Sequence, residues 1–126
     1  MSTENKKDEL INQIGALILR DDKYIESEWA ALSIVGKLRG GAQRVEGYVY
    51  YEDGRSEPRV PENIEFDEKL RDLRDTMHDV SGDMWKTCLI QIKKDDMSIN
   101  VKFEYENEDK WADNDLLSMP DRLRPN

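Results

Sequence analysis

Phe66 to Gly82 reads FDEKLRDLRDTMHDVSG. Phe66, Leu70, Leu73, Met77 and Val80 recur at steps of four and three, drawing one apolar stripe down a helix. The intervening EKLRDLRD covers the outer face with charges at helical pairing distances. Ser81-Gly82 ends the element, with Gly82 suited to a left-handed cap. What lies on either side of this helix decides the fold, because each flank is a pair of strands.

On the upstream side, Trp29 to Leu38 (WAALSIVGKL) is strand-like, with Leu32, Ile34 and Leu38 on one face. Gly40-Gly41 supplies a hairpin loop rather than a phosphate-binding one, since no further glycine pattern or Lys-Ser/Thr follows. The chain returns through RVEGYVYYED, where Val45, Val49 and Tyr51 share one face and Glu46, Tyr48 and Tyr50 the other. Asp53-Gly54 marks a turn, and RSEPRVPEN, with Pro58 and Pro61, reads as a loop. Before all this, Thr3 to Asp21 forms an amphipathic helix: Leu10, Ile14 and Leu17 make the stripe, and Ile11 and Ile18 widen it. Thr3 or Ser2 is the expected N-cap.

Downstream, WKTCLIQIKK points Cys88, Ile90 and Ile92 one way, DDMS contains a turn, and INVKFEY puts Ile99, Val101, Phe103 and Tyr105 on the core face. The remainder holds an ordered loop, a short helix near Asp113 to Met119 and a tail. The order α-β-β-α-β-β-α specifies an α+β fold: a four-stranded antiparallel sheet from two hairpins with the two main helices on one face. Residues 1–126 make a single domain, with 119–126 a loosely ordered tail. The opposite sheet face, if open, displays Tyr48, Tyr50, Lys102 and Glu104.

Composition narrows the function. The chain carries 19 basic and 28 acidic residues, a net charge of −9. That balance argues against nucleic acid or an anionic membrane as partner and is compatible with a basic protein. A single cysteine, Cys88, cannot form an internal disulfide and suits a reducing compartment. The first ten residues are too charged for a signal peptide, and no apolar run approaches the roughly 20 residues that cross a bilayer. The expected location is the cytoplasm.

Catalytic chemistry finds little support. Cys88 lies mid-strand on the core face and His78 on a helix, which does not make a nucleophile–base pair. One histidine and one cysteine do not build a zinc site. Asp109, Asp113 and Asp115 lack the alternation and central glycine of a calcium loop. We therefore expect no catalytic residues, no cofactor and no metal.

A surface remains. From Glu104 to Asp115 the chain carries six carboxylates (Glu104, Glu106, Glu108, Asp109, Asp113 and Asp115) against Lys110 alone, with Trp111 among them. Trp111 either packs back on the sheet edge or serves as an interface anchor, and a pinned tryptophan would also fix the carboxylates around it. The candidate contact residues are Tyr48, Tyr50, Glu104, Glu106, Asp109, Trp111, Asp113 and Asp115.

Trp85 at a strand start, then Ile99-x-Val101-x-Phe103-x-Tyr105-Glu106, then Trp111, and finally MPDRLRP at Met119 to Pro125 resemble the YezG-like immunity proteins. The amphipathic first helix and the FDEKLRDLRD helix fit that family's layout. The resemblance implies a bacterial cytoplasmic antitoxin without chemistry of its own, of the kind encoded beside secreted toxins, including those of contact-dependent growth inhibition. It implies a 1:1 complex of a monomer with a cognate toxin domain, and a nuclease toxin would offer a basic cleft to an acidic partner. It assigns packing rather than binding to Trp85, Phe103 and Tyr105. The alternative is a non-catalytic adaptor or regulatory binding module.

Overall fold

The computed structural model describes residues 3–25, 28–39, 42–82, 84–111 and 119–125. Helix α1 (Thr3–Arg20) leads through a single turn, α2 (Asp22–Ile25), into strands β1 (Ala31–Arg39), β2 (Ala42–Tyr50) and β3 (Ser56–Pro58). Helix α3 (Ile64–Ser81) follows, then β4 (Thr87–Lys93), β5 (Ser98–Glu104) and the short α4 (Met119–Arg122). The class is α+β with an antiparallel sheet, in the order β3-β2-β1-β4-β5.

The sheet has five strands where the sequence predicts four. The extra strand, β3, arises inside the proline-containing segment read as a loop. Tyr48, Val49 and Tyr50 pair with Pro58, Glu57 and Ser56. Proline is tolerated there because β3 is an edge, where an imino nitrogen need not donate to a neighbour. β1 lies at the centre, paired with both β2 and β4, so α3 carries the chain from one margin back to the middle.

The helices cover one face. Leu10, Ile14 and Ile18 of α1 and Phe66, Leu70 and Leu73 of α3 meet Leu32, Ile34, Val49, Cys88, Ile90 and Ile92 of the strands. Leu17, expected in the stripe, is half-buried, because the buried line runs at steps of four. Each fully buried Leu, Ile or Phe side chain contributes about 1.5–3 kcal/mol, so this layer supplies most of the stability. Met77 packs against the same cluster; the side chains of Leu38 and Val80, the side chain of Thr3, Ser2 and the Gly40-Gly41 loop lie outside the described residues. α3 is capped at both ends: Asn63 Oδ1 accepts from Phe66 N–H at 2.7 Å, and Gly82 takes φ 80°.

Approach is close on this face. A Cβ on Gly36 of β1 would stand 2.6 Å from Leu70 Cδ2, and one on Gly15 of α1 would stand 2.9 Å from Ile99 Cδ1. Trp85 is buried against Phe103, with ring centroids 5.7 Å apart. Tyr105 departs from the expected core alternation. β5 ends at Glu104, and Tyr105 is 38% exposed.

The opposite face is not open. Val35, Tyr48, Tyr50 and Leu89 form a second, smaller core with Met119 and Leu123, and Trp111 packs against it. The C-terminal segment, expected to be loose from residue 119, instead lies across the sheet with Met119 and Leu123 each 1% exposed. Its carbonyls are held from below: Tyr50 Oη donates to Pro120 O, and Ser33 Oγ and Gln91 Nε2 both donate to Leu123 O. The helix expected near Asp113 to Met119 falls largely outside the described residues; α4 begins at Met119.

Candidate protein-binding surface

The acidic stretch begins where β5 ends, and it is folded upon itself. Glu104 Oε2 accepts the N–H groups of Glu106 (3.0 Å) and Asn107 (3.1 Å), and Glu104 Oε1 pairs with Lys110 Nζ at 3.2 Å. Asn107 repeats the motif: its Oδ1 accepts Asp109 N–H, and its carbonyl accepts Lys110 N–H. Short polar side chains holding the backbone two residues on make a compact turn without secondary structure. The Asn107 and Glu106 N–H groups, followed by Lys110, hold the Glu104 carboxyl below the ordinary range, so it stays ionised.

Cations from elsewhere in the fold answer the run of acids. Lys37 of β1 pairs with Asp109, and Lys86, just before β4, donates to the Glu106 carbonyl at 3.3 Å. The one-sided charge count of the sequence is therefore corrected in part by partners distant in the chain. Trp111 is half-buried on the second core, with Lys110 Nζ 5.4 Å from its ring centroid. Glu106 and Asp109 are exposed at the rim.

The structure brings Glu104, Glu106, Asp109 and Trp111 together in this turn. It does not bring Tyr48 and Tyr50 to the surface. They are 9% and 2% exposed beneath the C-terminal segment, and the reason is the unforeseen docking of Met119 and Leu123. Burial pushes the Tyr50 phenol up to about 12. Asp113 and Asp115 lie outside the described residues. Among the described residues, no group of three or more His, Cys, Asp and Glu side chains is placed to hold a metal ion. No helix of the described residues is long and apolar enough to cross a membrane.

Sequence reasoning missed a second polar centre. Asp21, 7% exposed, accepts from Lys23 N–H, Glu62 N–H, Asn63 N–H and Asn63 Nδ2 at 2.9 to 3.3 Å. It ties the end of α1 to the start of α3 and supports the Asn63 cap. Its place between two helices gave no signal, since its partners Glu62 and Asn63 lie 41 and 42 positions away. No protein-family model matches the chain, and no curated protein matches it.

Proposed function

We propose that this chain is an immunity protein: a non-catalytic antitoxin that binds and neutralises a cognate secreted toxin domain, in a 1:1 complex formed in the cytoplasm. The observation that carries the reading is the acidic turn at Glu104 to Asp109, held in one shape by its own hydrogen bonds and backed by a pinned Trp111. A surface already ordered loses little side-chain and loop freedom on binding, so its charge complementarity goes into speed and specificity. An antitoxin needs that speed, because an arriving toxin must be captured before it turns over. A nuclease toxin, with a cleft shaped for phosphate, presents the positive surface such a rim would meet. The resemblance in Trp85, Ile99 to Glu106 and Met119 to Pro125 supports the same reading.

The test is co-expression with the toxin domain encoded beside this chain, scored by growth rescue and by co-purification. Rescue with a stable 1:1 complex is expected. Glu106→Lys should then slow association by several-fold at low salt while leaving dissociation nearly unchanged, as rim charges do. A folded chain that neither rescues nor co-purifies overturns the proposal and favours an adaptor with a different partner.

A further inference from the structure

The two margins of the sheet are unlike. β3 is three residues long and carries Pro58, two devices that keep an edge from pairing with another chain. β5 is seven residues long, without proline, and no strand of the described residues lies along its outer side. Its outward backbone groups follow from the register. Lys94 N–H donates to Ala30 O at 2.9 Å, so Lys94 faces β1, and alternation turns Lys93, Gln91, Leu89 and Thr87 towards β5. Their partners Ser98, Asn100, Lys102 and Glu104 face back, and the Glu104 carbonyl accordingly accepts from Lys86 N–H at 2.8 Å. The N–H and C=O groups of Ile99, Val101 and Phe103 therefore turn outward.

The side chains alternate as well. Ile99, Val101 and Phe103 lie on the helix face, where each is only half-buried, and Ser98, Asn100 and Lys102 are exposed on the other. This order reads almost the same in both directions about Val101. Turned by a two-fold axis there, the strand meets itself antiparallel over all seven residues: Ile99 opposes Phe103, Asn100 opposes Lys102, and Ser98 opposes Glu104. Apolar side chains then meet apolar ones, polar meet polar, and no like charges are opposed. Just beyond the two ends stand Met97 and Tyr105, both exposed. Each is four positions from Val101, so the same axis sets one against the other. Neighbouring axes do worse. One at Lys102 opposes two ammonium groups, and one at Asn100 leaves Phe103 and Glu104 without a strand partner.

We infer that β5 is a homodimer edge: a second copy of this chain pairs with it antiparallel about Val101, making one continuous sheet. In this register the Val101 pair and the two Ile99–Phe103 pairs exchange backbone hydrogen bonds, and Asn100 and Lys102 form the close, non-bonded pairs. So short a margin makes a reversible dimer. The inference is independent of the immunity reading, since two chains with two toxin domains keep the one-to-one ratio.

Sedimentation of the whole chain over a range of concentrations, with amide exchange by NMR, tests it. A monomer–dimer equilibrium is expected, and exchange at Ile99, Val101 and Phe103 should slow as the chain is concentrated. Cysteine cross-linking reads the register, because the native Cys88 is buried. N100C mixed with K102C should form a covalent dimer on mild oxidation, since the Cα atoms of such close pairs stand about 4.5 Å apart. Neither variant should do so alone. Tyr105→Ser changes an exposed side chain outside β5, so it should fold and weaken the dimer about tenfold, the scale of one lost contact. Val101→Pro removes an outward N–H and should abolish pairing. A chain that stays monomeric throughout overturns the inference and leaves immunity standing, and so does protection of these amides by the toxin domain alone. Cross-linking of either cysteine variant with itself also overturns it, because that requires another axis. A dimer that neither rescues growth nor holds the toxin domain upholds the inference while immunity falls.

Discussion

The hydroxyl of Tyr50 donates to the carbonyl of Pro120 at 2.7 Å, joining β2 to a segment seventy residues further along the chain. Arg124 lies over the same ring, 4.7 Å from its centroid, and its Nη2 reaches the Gly54 carbonyl at 3.1 Å. Tyr50→Phe keeps the ring and removes the bond. The expected loss is about 1 kcal/mol. Chemical denaturation should report that loss, and limited trypsin digestion should report earlier cleavage after Arg122.

Alkali offers an independent check on the same residue. Burial lifts Tyr50 from 10.0 to about 12, so the folded state holds its proton more tightly than the unfolded chain does. The stabilisation is therefore complete below pH 10 and disappears as pH rises towards 12. Tyr24 and Cys88 shift upward for the same first reason, burial, and steepen the decline. The free energy of unfolding measured across this range should fall less steeply in Y50F than in the parent.

Asp21 behaves in the opposite sense. Burial raises its carboxyl, but the N–H groups of Lys23, Glu62 and Asn63 together with the Asn63 amide outweigh burial and hold it below 3.8. Its contribution is present above that value and lost as pH falls through the lower folded one. Asp21→Asn loses the charge and mismatches at least one donor, which should cost about 1–3 kcal/mol at neutral pH. Acid titration of stability should show a shallower limb in the variant.

Two glycines separate clash with side chain from clash with backbone. Gly36→Ala meets Leu70 Cδ2 and Cys88 Sγ, which can yield at the cost of overpacking, about 1–3 kcal/mol. Gly47→Ala meets two carbonyl oxygens that cannot rotate away. Thermal melting should place G47A well below G36A.

Met97 adopts φ 53° in the β4–β5 turn and is 52% exposed. A non-glycine residue there costs about 1 kcal/mol or more. Met97→Gly should raise the melting temperature, because relief of that strain exceeds the added chain entropy of glycine.

Periodicity exposed the parts of the fold that repeat. Both long helices, the two hairpins and the burial of Cys88 follow from apolar spacing and turn residues. β3 escaped because three residues are too few to express a period and because Pro58 reads as a breaker unless the strand is known to be an edge. Tyr48 and Tyr50 were placed on the correct side of β2, but what covers them is Met119 and Leu123, which are two apolar residues in a charged tail with no pattern to announce them. The acidic turn was visible as charge, whereas its pairing with Lys37 depends on contact across 72 positions.

β5 forms the far margin of the sheet: seven residues, without proline, with no strand of the described residues along its outer side. Such a margin is a template for fibrillar stacking, in which identical segments repeat at a spacing of roughly 4.8 Å. Lys102 is exposed in the middle of that segment. Every stacked copy would bring another ammonium into line with the last, a repulsion that opposes such stacking.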